Sequence, residues 1–204
     1  MKKNISIICL ILILFSCKEE NHNATFIADK LISRDVIISR LNSSKNISDL
    51  KFIHLFSKKT KDSSKDDNRI LIYFDIDRLD NIFKVDSAYL YLQPKKPVVG
   101  DTNYKIHRIK EPWSENYVNW DNQPLIYKND SIIVMTNGLS ENKIDITKYI
   151  SGFSNGEYRN FGFELKLLGE SKLDYSRITF HSSESESRNN RPRLEIYYKT
   201  RELF

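Results

Sequence analysis

The 204-residue chain is predicted to fold as an all-β protein, a single antiparallel jelly-roll β-sandwich with one short helix. Three observations predict this fold. Apolar and polar residues alternate in several short segments, clusters of turn-forming residues separate these segments, and no long segment has helical periodicity. No internal repeat and no linker divides the chain, so that one domain is expected.

The alternation begins near Ala24 and predicts β-strands, because successive side chains of a strand point to opposite faces of the sheet. It is clearest in the segments 69–76, 87–93, 163–167, 177–181 and 194–198. Their predicted core-facing residues are Ile70, Ile72, Phe74, Ile76, Ala88, Leu90, Leu92, Phe163, Leu165, Leu167, Ile178, Phe180, Leu194, Ile196 and Tyr198.

Turn-forming residues predict loops at 58–68, 94–102, 122–130 and 182–192, and the polar segment 58–68 is expected to be disordered. The one short helix is predicted after Asp145, whose side chain can cap it, and it should end at 155–156, which is Asn-Gly. Ile146, Ile150 and Phe153 have the spacing of one apolar helix face.

The first residues predict a lipoprotein signal peptide. Lys2 and Lys3 precede an apolar run of about 11 residues, whereas a membrane-spanning helix needs about 20. The run ends in Leu-Phe-Ser-Cys at 14–17, which resembles the lipobox at which bacterial lipoproteins are cleaved and lipidated. Lipidation of Cys17 is therefore expected. The alternative is an ordinary secretory signal in which this cysteine is incidental.

These features predict the organisation of the chain. Residues 1–16 are expected to be removed as the signal peptide, 17–23 to form a polar tether, 24–199 to form the β-sandwich domain, and 200–204 to form a C-terminal tail. The tether begins with Lys-Glu-Glu at 18–20, which resembles a short acidic tag that directs some lipoproteins to the cell surface. A lipid-anchored, surface-exposed protein of the outer membrane is expected.

Cysteine content and charge exclude several classes of function. Cys9 would be removed and Cys17 lipidated, so that no thiol remains for a disulfide, a metal site or a nucleophile. The net charge of +5 is small and the charges are of mixed sign, which does not indicate a nucleic-acid partner. Residues 30–69 are more basic, with ten Lys or Arg against five Asp. This segment is either a solvated face or a sign of an anionic partner.

Several segments in order resemble the DNRLRE domain, whose members include carbohydrate-binding module family 96. They are Arg-Ile-Leu-Ile-Tyr-Phe-Asp at 69–75, Asp-Ser-Ala-Tyr-Leu-Tyr-Leu at 86–92, Tyr-Lys-Ile-His-Arg-Ile at 104–109, Trp-x₆-Trp-x₃-Pro at 113–124, Ile-Asp-Ile-Thr-Lys-Tyr-Ile at 144–150, and the segments 180–184 and 191–197. The resemblance covers about 24–199. It implies a jelly-roll accessory module of polysaccharide-acting or cell-surface proteins, and some relatives bind acidic polysaccharides such as alginate.

The two tryptophans, Trp113 and Trp120, have two interpretations. Their rings could stack on sugars, since aromatic side chains bury large areas. In the pattern of this family they look like core residues that fix a corner, and the structural role is the one we expect.

A glycan-binding face is predicted from side chains that alternate with core residues. Tyr89 and Tyr91 share one face of their strand, Lys105 and His107 share a face of the next, and Arg177 and His181 share a face of a later strand. One exposed sheet face carrying all six would suit an anionic glycan, because rings stack on sugars and cations bind carboxylates. The alternative is the ordinary wet face of a half-buried sheet.

Metal and catalytic motifs are weak in this sequence. The four histidines, His22, His54, His107 and His181, lack metal-ligand spacing, and no cofactor is expected. A structural calcium ion held by Asp75, Asp77 and Asp80 is conceivable, since calcium prefers oxygen ligands from loops. No nucleophile elbow or phosphate-binding glycine loop is present, and no pair of carboxylates stands out for glycoside hydrolysis.

The sequence therefore favours a non-catalytic, surface-anchored lipoprotein that binds polysaccharide, more readily an acidic one. A structural or adhesive module that contacts another protein, such as an outer-membrane protein, is the first alternative. A polysaccharide lyase, which needs a base beside a charge neutraliser, is the second.

Overall fold

The structure is a computed structural model that describes residues 18–59, 65–77, 79, 82–97, 102–136, 141–168 and 175–202. The described residues contain eleven strands and one α-helix. These elements are β1 (Lys18–Ile27), β2 (Ser33–Ser39), β3 (Phe52–Lys59), β4 (Lys65–Phe74), β5 (Ile82–Leu92), β6 (Tyr104–Ile109), β7 (Ile126–Val134), β8 (Asn142–Asp145), α1 (Thr147–Ser154), β9 (Phe163–Leu167), β10 (Tyr175–His181) and β11 (Arg193–Glu202).

The strands form two antiparallel sheets. The smaller sheet has the order β1-β11-β5-β8, and the larger has the order β10-β3-β4-β9-β6-β7, with β2 paired to β4. The chain crosses between the sheets six times, from β1 to β2, β4 to β5, β5 to β6, β7 to β8, β8 to β9 and β10 to β11. This architecture confirms the predicted antiparallel β-sandwich with one short helix.

The main core lies between the two sheets and is built from alternate residues of their strands. Ile70 and Ile72 of β4 enter it from the larger sheet, and Leu90 of β5 and Leu194 of β11 enter it from the smaller one. All of the residues predicted to face the core belong to this cluster or pack against it. Each buried aliphatic side chain of this size stabilises the fold by about 1.5–3 kcal/mol, and these residues hold together a described part of the chain that contains no cysteine.

The polar segment predicted as a tether is instead the first part of a strand. Residues 18–27 of β1 pair in unbroken register with residues 193–202 of β11. The His22 ring stacks on Tyr198 with centroids 5.5 Å apart, and its Nε2 atom lies 2.9 Å from Thr200 Oγ1. The predictions of a tether at 17–23 and a tail at 200–204 are therefore wrong for 18–23 and 200–202, because a strand at a sheet edge can have a polar sequence.

Helix α1 agrees with its prediction in position and packing. Asp145 Oδ1 accepts a hydrogen bond from the Thr147 amide at 2.9 Å and so provides a partner for one of the backbone N–H groups that are unpaired at the start of a helix. Ile146 and Ile150 are buried, and Phe153 packs against the same core. The helix ends before Gly156, whose positive φ of 75° favours glycine.

Part of the loop predicted at 58–68 is also strand, since β3 extends to Lys59 and β4 begins at Lys65. The intervening residues 60–64 lie outside the described residues, as do the predicted signal peptide and Cys17. Among the described residues, no helix has the length and apolar character needed to cross a membrane.

Candidate functional site

A second, smaller apolar cluster covers part of the outer face of the larger sheet. Val36, Ile38 and Leu71 alternate with core residues and therefore point away from the main core. The connection from β6 to β7, residues 110–125, folds over them and contributes Trp113 and Val118. The structural role expected for the tryptophans is confirmed, because Trp113 is 9 % exposed and Trp120 packs against the same cluster.

Polar side chains hold this connection in place on the sheet. Trp113 Nε1 donates a hydrogen bond to the Phe161 carbonyl at 2.9 Å. Asn46 Nδ2 donates to the carbonyls of Glu115 and Val118 at 2.6 and 2.8 Å. Because these bonds satisfy backbone groups that no strand partner reaches, the connection keeps a defined shape without regular secondary structure.

A cleft of 1070 Å³ opens between the end of this connection and the outer face of β4 and β9. Its lining is rich in cations and also has an apolar side. The cations are Arg69, Lys110, Lys128 and Lys166; the acids are Asp130 and Glu164; the apolar and aromatic residues include Pro124, Leu125 and Tyr127.

Arg69 is held in one orientation at the floor of the cleft. Its Nη1 atom donates to Glu164 Oε2 at 3.0 Å and to Gln123 Oε1 at 2.9 Å. Its guanidinium carbon lies 4.5 Å from the centroid of the Trp120 ring. Trp120 therefore has a second role as a platform for this cation, which sequence reasoning missed because nothing in the spacing of residues 69 and 120 indicates contact.

Both acids of the cleft already have cationic partners within the protein. Glu164 is buried and bonded to Arg69, whereas Asp130 lies 2.7 Å from both Arg108 Nε and Lys148 Nζ. Burial opposes ionisation of Asp130, but the hydrogen bonds from Lys148 and Arg108 outweigh it and lower the pKa of this carboxyl.

The other cations of the cleft have fewer or more distant acidic partners than Arg69. Lys110 lies over the Tyr127 ring at 4.8 Å, and neither Lys110 nor Lys128 forms an ion pair with a described residue. Lys166 approaches Glu164 only to 4.0 Å, and burial lowers the pKa of this lysine. The cleft consequently has an excess of positive charge.

Lys105 and His107 lie on β6, beside the cleft, but they differ in exposure. In the sheet register Lys105 is opposite Lys166 and His107 is opposite Glu164. The His107 side chain is 3 % exposed; its Nδ1 atom lies 3.2 Å from the Tyr127 carbonyl, and burial lowers its pKa. The prediction that the His107 ring is exposed to solvent is therefore wrong. The ring is buried and contacts the backbone of Tyr127, which lines the cleft.

Tyr89 and Tyr91 lie on the other sheet. They belong to β5 and share the outer face of the smaller sheet with Lys143 and Arg193. Lys143 Nζ lies 3.9 Å from the Tyr89 centroid, and Arg193 Cζ lies 4.0 Å from the Tyr91 centroid.

Arg177 and His181 lie on β10, at the opposite edge of the larger sheet from β7. Three strands, β3, β4 and β9, separate them from β6. His181 packs on Phe52 with centroids 5.0 Å apart, and its Nδ1 atom lies 3.0 Å from Ser185 Oγ.

The single exposed face predicted to carry all six residues is therefore wrong. The three pairs occupy three separate places, because β5 and β6 are consecutive in the chain but belong to different sheets. Alternation within a strand indicates which side chains share a face of that strand, but it does not indicate which strands become neighbours.

The residues considered for calcium follow β4. Asp75 and Asp77 are described, whereas Asp80 lies outside the described residues. In the described part of the chain, no group of three or more histidine, cysteine, aspartate or glutamate side chains has an arrangement suited to a metal ion. His54 lies instead beside Asn68, with 2.9 Å between its Nε2 atom and the amide nitrogen, and burial lowers its pKa to about 4.

Comparison with known proteins supports the resemblance seen in the sequence. The family model for carbohydrate-binding module family 96 matches residues 34–198, which is more than half of the chain and includes every residue of the cleft. A search of curated proteins found no match. The chain therefore belongs to carbohydrate-binding module family 96, whose members are typically non-catalytic and bind carbohydrate.

Proposed function

We propose that the protein binds acidic polysaccharide in the cleft beside β7. The observation that carries this proposal is the uncompensated positive charge of the cleft: its acids are engaged by protein cations, while Lys110 and Lys128 have no acidic partner among the described residues. An acidic polysaccharide supplies carboxylates at regular intervals, and these would complement such a lining.

The two sides of the cleft suit different parts of a uronic-acid chain. Arg69 is oriented by Glu164, Gln123 and Trp120 before any ligand arrives, so that little conformational entropy is lost when it meets a carboxylate. Tyr127 and Leu125 form an apolar side on which the C–H groups of a sugar ring could pack.

The test is affinity electrophoresis of the mature chain in gels that contain alginate or polygalacturonate. The variant Lys110→Ala/Lys166→Ala should bind about tenfold more weakly, because two partly exposed ionic contacts are lost. The exposed residue Lys96 lies outside the cleft, and Lys96→Ala is the matched control. Added salt should weaken binding by the wild type. Equal retardation of the double variant and the wild type would contradict the proposal.

The proposal includes anchoring of the domain to the outer membrane through lipid on Cys17, with the domain facing the exterior of the cell. The support is the lipobox-like sequence at 14–17 and the acidic segment that follows it. Cells grown with labelled palmitate should yield labelled protein, and Cys17→Ser should abolish the label. Labelled protein from the Cys17→Ser variant would show that the lipid is attached elsewhere.

Contact with another surface protein is the second candidate function, and strand β7 favours it. This strand pairs only with β6 among the described strands, and its residue Ile133 is 56 % exposed. Met135, directly after the strand, is 64 % exposed. Recovery of one outer-membrane protein by the wild type but not by Ile133→Lys, without retardation in the acidic gels, would favour this function.

A lyase would require an accessible base in or beside the cleft. His107, which contacts the carbonyl of the cleft residue Tyr127, is buried. Release of unsaturated products from alginate or polygalacturonate, measured in the same preparations, would reveal catalysis directly.

A further inference from the structure

The outer face of the smaller sheet carries a cluster of tyrosines that the cleft does not use. We call this cluster the tyrosine face and define it by Tyr89, Tyr91 and Tyr197, together with Lys143 and Arg193. Lys143 Nζ lies 3.9 and 5.7 Å from the Tyr89 and Tyr91 centroids, and Arg193 Cζ lies 4.0 Å from the Tyr91 centroid. Tyr197 meets Tyr89 edge to face at 6.4 Å and is 41 % exposed.

The face continues onto β1 with short polar side chains. Asn23 lies opposite Tyr197 in the register with β11, and Thr25 lies opposite Glu195. Both are exposed, because they alternate with Ala24 and Phe26, which point into the core. The surface thus combines the rings of Tyr89 and Tyr197 with amide and hydroxyl groups, whereas Tyr91 is 9 % exposed and its ring lies beneath Lys143 and Arg193.

The charges of the tyrosine face are largely compensated. Arg193 lies 2.9 Å from Glu195 and 3.5 Å from Glu141, and Lys199 lies 3.7 Å from Glu19. Lys143, which lies over the Tyr89 ring, forms no ion pair with a described residue, so that its charge is the uncompensated part of this face. A ligand of this face would therefore be held by packing on rings and by hydrogen bonds to hydroxyl groups, which are the groups of an uncharged sugar.

We propose that the tyrosine face is a second carbohydrate-binding surface and that it takes a neutral polysaccharide. The sandwich places it on the opposite sheet from the basic cleft. One molecule would then bind an acidic chain on one side and a neutral chain on the other, and could link the two. This inference stands on different residues from the cleft and does not require the cleft to bind.

Affinity electrophoresis of the mature chain with three neutral probes tests this inference: hydroxyethylcellulose, laminarin and galactomannan. The wild type should be retarded by at least one of them, to the same extent in low and high salt. Tyr89→Ala/Tyr197→Ala should weaken that binding about tenfold, since each stacked ring contributes on the order of 1 kcal/mol. Tyr175→Ala is the matched control, because Tyr175 is 51 % exposed but lies on β10 of the other sheet.

The two binding surfaces can fail independently. Lys110→Ala/Lys166→Ala should leave neutral binding unchanged, and Tyr89→Ala/Tyr197→Ala should leave alginate binding unchanged. Thermal unfolding of each variant confirms that the fold is retained. The inference is overturned if none of the three neutral polymers retards the wild type, or if the tyrosine variant with an intact fold is retarded as strongly as the wild type.

Discussion

Asp35 is a buried carboxyl whose environment couples the fold to pH. It lies on β2, is 4 % exposed, and accepts a hydrogen bond from the Ser183 amide at 2.7 Å. Burial raises the pKa of its carboxyl from 3.8 to about 7, although the bond from Ser183 opposes the shift and the nearby Glu115 adds to it. The neutral form of Asp35 is therefore favoured in the folded protein more than in the unfolded chain.

The sign of the resulting pH dependence follows from linkage. Since the folded pKa is the higher one, the stability due to neutral Asp35 is complete below pH 3.8 and is lost as the pH rises to about 7. In Asp35→Asn the amide oxygen can still accept from Ser183, but nothing ionises. Above pH 7 this variant should have a free energy of unfolding higher than the wild type by on the order of 4 kcal/mol, and the two should converge near pH 4.

Chemical denaturation at several pH values measures this difference. Asp49→Asn is the control, because the Asp49 side chain is 74 % exposed and makes only a surface contact with Lys30. Parallel stability curves for Asp35→Asn and the wild type between pH 4 and 8 would show that Asp35 ionises normally in the folded protein.

At the scale of the elements, the sequence predicted what depends on local periodicity. The core-facing residues of β4, β5, β9, β10 and β11 follow from spacing, the limits of α1 follow from Asp145 and the Asn-Gly at 155–156, and the structure confirms both. The first part of β1 was missed, because the polar residues 18–23 carry no alternating pattern and become a strand only through pairing with β11. The pairing of β1 with β11, a tertiary contact, therefore determines the strand conformation of this segment, which its local composition did not indicate.

The candidate site shows the same limit. The stacking of Arg69 on Trp120 and the alignment of Glu164 with His107 join residues that are far apart in the chain. Neither contact has a sequence signature, since each depends on the sheet order β4-β9-β6. The tryptophans were correctly expected to be structural from the family resemblance, whereas the part that Trp120 plays in holding a cation was visible only in the fold.

At the scale of the whole molecule, the sandwich separates two chemically different outer faces. The larger sheet carries the basic cleft, partly walled by the connection from β6 to β7, and the smaller sheet carries the tyrosine face. The apolar core between them leaves both faces available to solvent. The family of the chain binds carbohydrate, and the two faces are the surfaces on which we propose that it does so.

The measurement that tests the central claim most directly is amide hydrogen exchange of the mature wild-type chain, with and without an alginate oligosaccharide. Binding in the cleft should slow exchange in residues 123–130, 164 and 166, which line it, and leave β1 and β10 unchanged. Protection confined to β1 and β11, or to β10, would contradict the assignment of the acidic ligand to the cleft.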